Sequence, residues 1–173
     1  AALAVGLRLG VDTQSLREAL AGFSGVDRRL QRLGDRGGRV ILDDYAHHPT
    51  EVHVSVAAVR DAWPGRRLAV VFQPHLYSRT QQMAAEFAEA LTAADEALVL
   101  PIYPAREAPI PGVTARLVTD ASSGFADTVT ADEIPGWVDG LPADSVVLFM
   151  GAGDITLLAH QVAEGKGENG VGI

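Results

Sequence analysis

The sequence predicts an α/β fold: a mostly parallel six-stranded sheet with one antiparallel strand and helices on both faces. Three observations carry this. Short apolar runs alternate with longer segments of helical period along most of the chain; polar clusters stand where several of those runs end; and one Gly-rich turn joins two runs too closely for a helical crossover. Alternation at this spacing implies right-handed crossovers and a sheet covered on both sides.

The elements follow in order. Residues 1–9 read as the end of a helix with no capping residue before Ala1 and Gly10 closing it, which suggests a chain cut from something longer. Asp12 or Thr13 caps a second helix to about Gly22, with Glu18 supporting its first turns. Two short strands, 28–33 and 39–44, are joined by Gly34-Asp35-Arg36-Gly37-Gly38, so one of them runs antiparallel. Helix 49–62 opens on Pro49, whose missing N–H costs nothing in a first turn. Strand 67–73, helix 79–93 and strand 96–101 continue the alternation. The Pro-rich segment Pro101 to Gly112 is incompatible with regular helix or an interior strand and reads as an ordered loop at a site rim. A helix near 114–122, a weak strand at 126–129, a helix at 131–138, a strand at 145–150 and a helix at 154–164 complete the fold. Residues 165–173 read as a Gly-rich tail.

At 173 residues with 47% hydrophobic content the chain is long enough to bury one core. No apolar run approaches the roughly 20 residues of a membrane span, and no basic region precedes the apolar start, so a cytoplasmic protein with no membrane partner is expected. With no cysteine, thiol nucleophiles, disulfides and zinc thiolates are excluded. A net charge of -8 argues against a nucleic-acid partner, although Arg28, Arg29, Arg32, Arg36 and Arg39 crowd one segment, as a solvated hairpin face or an anion site.

Two clusters concentrate the chemistry. Asp43-Asp44-Tyr45-Ala46-His47-His48-Pro49-Thr50-Glu51 follows one strand and Gln73-Pro74-His75-Leu76-Tyr77-Ser78-Arg79-Thr80 the next, so two strands taken as adjacent would deliver both to one edge, where open α/β sheets bind ligands. Neighbouring histidines at a helix start point about 100° apart, which disfavours convergence on one metal ion. One of His47 and His48 is expected to face the site and the other to hydrogen-bond structurally, with His53 in solvent. Arg79, near a helix start and beside the His75 loop, suits a carboxylate or phosphate. Gly151-Ala152-Gly153, between a strand and a helix, could offer N–H groups to an anion, though a tight βα turn needs glycine anyway. No GxxxxGK[ST] loop occurs.

DDYAHHPTEV (43–52), FQPHLYSRT (72–80), YPAREAPIPGV (103–113) and GAGDI (151–155), with GVDRRL (25–30), resemble in order and spacing the C-terminal third of the Mur ligases. Within that family they resemble the branch that joins L-alanine to UDP-N-acetylmuramate. Glu51, His75 and Arg79 favour it over the murein-peptide recycling branch, which usually has Ala at the Glu51 position and Glu-Pro-Arg-Ser where Gln73 to Leu76 stand. The resemblance implies a Rossmann-like domain and ATP-dependent amide synthesis through an acyl phosphate. It implies that Arg29 and Asp44 engage ATP, that Tyr45, His47, His75 and Arg79 form the alanine pocket, and that His47 serves as base or positioning group. Some relatives carry Arg where Leu76 stands, so Arg79 has more to do here. ATP and Mg2+ would be held mainly by a central domain preceding this chain, with UDP-N-acetylmuramate on an N-terminal domain; this chain would hold neither cofactor tightly and would be inactive alone. Residues 1–22 would be the end of the central domain with its linker helix, and 23–164 the C-terminal domain. The rival readings are a stand-alone nucleotide- or anion-binding module and a metal-dependent hydrolase.

Overall fold

The structure, a computed structural model, describes residues 2–23 and 25–165. Two helices, α1 (Ala2–Arg8) and α2 (Thr13–Ala21), precede an α/β body made of β1 (Gln31–Arg36), β2 (Arg39–Asp44), α3 (Pro49–Ala62), β3 (Leu68–Phe72), α4 (Tyr77–Leu91), β4 (Glu96–Val99), α5 (Arg116–Ala121), β5 (Ala126–Thr128), α6 (Ile134–Gly140), β6 (Val146–Met150) and α7 (Ile155–Ala163). The six strands lie in the order β1-β2-β6-β3-β4-β5, with only β1 antiparallel to its neighbour. The expected fold class is the one observed. The expected adjacency of β2 and β3 is not: β6 lies between them, paired parallel to both.

Period-2 alternation divides the core between the two faces. Val40 and Leu42 of β2, Leu68, Val70 and Phe72 of β3, and Val146, Leu148 and Met150 of β6 pack beneath α3, α4 and α5. Ile41, Ala69, Val71, Val147 and Phe149 point the other way, beneath α6 and α7. The same alternation sends Asp43 and Asp44, at the end of β2, to opposite faces.

The sequence misplaces β1. It begins at Gln31 because Arg28 and Leu30 adopt φ of +56° and +46°, a left-handed backbone that no strand accommodates. Gly34 consequently sits inside β1 beside a register shift, and the turn is Gly37-Gly38 alone. Residues 131–133 form a 3₁₀ turn in a Thr130–Glu133 capping box, and α6 begins only at Ile134, with Pro135 in its first turn. α3 agrees with its expected bounds, opening on Pro49 and ending against Trp63. Asp12 caps α2, accepting from the Ser15 N–H at 2.9 Å. No residue of α2 is buried, and α1 buries only Gly6, so Leu3, Leu7, Leu20 and Phe23 stand exposed. No helix among the described residues is long and apolar enough to cross a membrane. The tail beyond Gly165 lies outside the described residues.

Candidate functional site

The site forms at the carboxyl ends of β2, β6 and β3. Strand β2 ends at Asp44; Pro49 and the β-region conformation of His48 start α3, and His48 turns its Nδ1 back to accept the Thr50 N–H at 3.3 Å. His48 is thus the capping histidine and His47 the one presented to the site. His53 is exposed.

Four rings run edge to edge or stacked across the strand ends. Tyr45 and His47 meet at 5.2 Å between centroids, His47 and His75 at 5.7 Å, and His75 stacks on Tyr103 at 5.8 Å. His47 Nδ1 faces the Tyr45 carbonyl at 2.9 Å and Glu51 Oε2 at 3.2 Å. With two acceptors there, Nδ1 is the donor, and in the neutral ring Nε2 would keep the lone pair. Burial pushes the Glu51 carboxyl up, but the His47 N–H at 3.0 Å, the His47 ring and further donors outweigh it and hold Glu51 below the usual range. His75 is lowered, first by burial and then by Arg79 and His47, with Glu107 opposing; its buried Nδ1 has no hydrogen-bond partner among the described residues. Its surroundings thus favour the neutral imidazole. Arg79, in the first turn of α4, donates from Nη1 to the His47 carbonyl at 3.1 Å, which ties α4 to the loop after β2 and leaves the rest of the guanidinium fork for a ligand.

Asp44 is buried at 3% exposure with its donors all internal: Oδ2 accepts the Leu30 N–H at 2.8 Å, while Oδ1 accepts the Ala46 N–H at 2.8 Å and the Ser55 hydroxyl at 3.0 Å. It organises the loops bearing Arg29 and Tyr45. Arg29 is exposed, its guanidinium 5.7 Å from the centre of the Tyr45 ring. Its neighbour Arg28, indistinguishable from it by sequence, is more deeply engaged. Arg28 lies over Tyr45 at 4.7 Å, donates to the carbonyls of Gly151 at 2.5 Å and Gly153 at 3.3 Å, and approaches Asp43 at 3.7 Å.

The Gly151-Ala152-Gly153 turn therefore points carbonyls at Arg28, while the N–H groups of Ala152 and Gly153 have no acceptor among the described residues. Glycine is needed for closeness: a Cβ on Gly153 would lie 2.5 Å from the Tyr103 ring and from Gln73 Oε1. Gln73 staples the turn to β3, donating to Asp154 at 2.7 Å and accepting the Ile155 N–H at 3.2 Å. Arg28, Gln73, Tyr103 and Glu107 escaped the sequence reading. All lay inside its motifs, but their partners are remote in the chain.

Among the described residues no three His, Asp or Glu side chains gather as a metal site. The fold and site together define an α/β domain with a row of rings and an arginine at its strand ends. The family model for the Mur ligase, glutamate ligase domain matches residues 28–153, and the chain belongs to the Mur ligase family. It is 46% identical over 169 residues to a UDP-N-acetylmuramate--L-alanine ligase of Streptomyces griseus, covering 95% of this chain and 36% of that protein. It is 53% identical over 133 residues to one of Arthrobacter sp., covering 77% and 28%. Among solved structures it resembles the UDP-N-acetylmuramate-alanine ligase of Thermotoga maritima, with 28% identity, a TM-score of 0.76 and coverage of 94% of this chain and 35% of that one. The chain spans just over a third of the length of the curated relatives it matches.

Proposed function

We infer that this chain is the amino-acid-binding domain of an ATP-dependent ligase that joins L-alanine to UDP-N-acetylmuramate. The observation that carries the reading is convergence: His47 and His75 face each other at 5.7 Å and Arg79 is tied to the same loop at 3.1 Å. The names of the relatives it resembles point the same way. Arg79 would clamp the alanine carboxylate, with Tyr45 and His75 as walls. The alanine nitrogen must lose a proton to attack the acyl phosphate, expelling phosphate as the amide forms. His47 Nε2 is the acceptor left free for that proton, with Glu51 fixing the ring from behind.

Arg29, exposed and with its guanidinium in no hydrogen bond among the described residues, suits an ATP phosphate. Asp44 would act on ATP by holding the Arg29 and Tyr45 loops, and the free N–H groups at Ala152 and Gly153 suit an anion. Among the described residues no three acids or histidines gather as a cation site, so in this reading Mg2+ would be held mainly by a domain outside this chain. The exposed apolar residues of α1 and α2 suit residues 2–22 as the junction with that domain, and the domain alone would not ligate. The test is Arg79→Ala in the full-length protein. A charge-assisted carboxylate contact is worth about 1.5–3 kcal/mol, so the alanine KM should rise about 10- to 100-fold with the ATP KM little changed. An unchanged alanine KM would remove Arg79 from this role.

A further inference from the structure

The Pro-rich segment from Pro101 to Gly112 takes no part in the ligation chemistry described above, yet it is bound to the amino-acid pocket on several sides. Tyr103 makes an isolated parallel bridge with His75, accepting the Leu76 N–H at 2.9 Å and donating to the Pro74 carbonyl at 2.8 Å, and its ring covers His75. Further along, Glu107 turns back over the start of α4. Its Oε2 accepts the Ser78 N–H at 2.9 Å and its Oε1 accepts the Ser78 hydroxyl.

α4 needs that contact. It is kinked at Met83, where φ is -124°, so its first segment is short, and its own capping position is held by Leu76 at φ +73°, with no side chain to accept a first-turn N–H. A helix start in which Leu takes a left-handed conformation and offers no cap is held from outside or frays. Glu107 is the outside cap, and the Ser78 N–H and hydroxyl hold its carboxyl below the ordinary range. Arg79 is the next residue after Ser78.

We propose that Glu107 is a positioning residue of the amino-acid pocket: by capping α4 across the cleft it fixes Arg79 and occupies the helix's positive end, so that an incoming carboxylate meets the guanidinium and not bare N–H groups. This rests on the reading of Arg79 as carboxylate clamp. It also gives the Pro-rich loop its task. Prolines and the Tyr103 bridge stiffen the loop, and the stiffness is delivered at Glu107.

The experiment compares Glu107→Ala and Glu107→Gln in the full-length protein. Glu107→Ala should raise the KM for L-alanine about tenfold while kcat and the KM for ATP stay within about twofold; Glu107→Gln, still able to accept from Ser78, should recover most of the loss. Alanine and ATP KM rising together, or an alanine KM that does not move, overturns the proposal. Histidine-ring and arginine Nε–H NMR of this chain gives an arm that needs no turnover. Groups acting on the His75 ring are Arg79, His47 and Glu107, of which only Glu107 favours the protonated form. Glu107→Ala should therefore shift the His75 and Arg79 signals and move the His75 titration to lower pH, leaving exposed His53 in place. If the wild-type protein proves not to use alanine, the clamp reading fails on its own; in that case unmoved Arg79 and His75 signals overturn the Glu107 proposal and moved signals sustain it.

Discussion

Asp43 and Asp44 are consecutive residues at the end of β2, both buried, and they lead opposite lives because the strand turns them to opposite faces of the sheet. On the α3 face, Asp44 accepts from two backbone N–H groups and one hydroxyl, and it joins the segment before β1, the loop after β2 and helix α3 in one knot. On the α7 face, Asp43 accepts from the Thr156 hydroxyl at 2.6 Å, has Arg28 only at 3.7 Å, and leaves Oδ1 with no partner among the described residues. Burial is the largest influence on the Asp43 carboxyl and pushes it up, against Thr156, Arg28 and His160. A buried acid is thus defined by the donors its face supplies. One acid is a fastener for the loops that bear Tyr45 and His47; the other is a poorly solvated charge beside the arginine that grips the Gly151 to Gly153 turn.

The contrast breaks most visibly at Asp44. Asp44→Ala strands the N–H groups of Leu30 and Ala46 in a buried setting and should cost about 3–5 kcal/mol in urea unfolding. A loss below about 1 kcal/mol would mean that water replaces the carboxylate and that the knot is not the organiser. Thr156→Val should come next, at about 1–2 kcal/mol, because it removes the hydroxyl that bonds Asp43 among the described residues while filling the same space. Ser55→Ala should cost about 1 kcal/mol, since Asp44 keeps both backbone donors. If Ser55→Ala proved costlier than Thr156→Val, the two acids would be alike and the distinction would fall.

Much of this arrangement is legible in the sequence, and what is not has a common cause. Val40-Ile41-Leu42 followed by Pro49 marks strand end and helix start by local chemistry, and both stand where expected. That Tyr45, His47, His75 and Arg79 meet follows from strand ends sharing one edge of the sheet. The placing of β6 between β2 and β3 carries no local signature, because strand order is decided by which crossovers pack on the sheet. The late start of β1 depends on Arg28 and Leu30 accepting left-handed φ, and what holds them there is Asp44 and the Tyr45 N–H, contacts made only once the chain has folded. Arg28 beside Arg29 is the same failure at a site. Composition cannot say which of two arginines turns inward toward a glycine turn more than a hundred residues away.

The smallest expected effect is the most discriminating. Asp43→Asn removes a buried charge and also leaves Arg28 without its nearby carboxylate, so at neutral pH the losses and gains oppose and the net change should be within about 1 kcal/mol. Its pH dependence is not balanced. A carboxyl raised in the folded state has its full stabilising share below the ordinary value of about 3.9, where both states hold the proton. As pH rises, the unfolded chain ionises first and freely, and the folded chain is penalised until its own raised pKa is passed, so that share is lost. Wild type should therefore be most favoured over Asp43→Asn in acid and lose ground as pH rises toward neutrality. Paired urea midpoints at several pH values measure this, with all other carboxyl groups cancelling in the difference. A flat difference would show that Arg28 and Thr156 solvate Asp43 as well as water does. A difference growing in wild type's favour with pH would make Asp43 an ion-paired acid, and the two faces of β2 would then hold their acids by the same means.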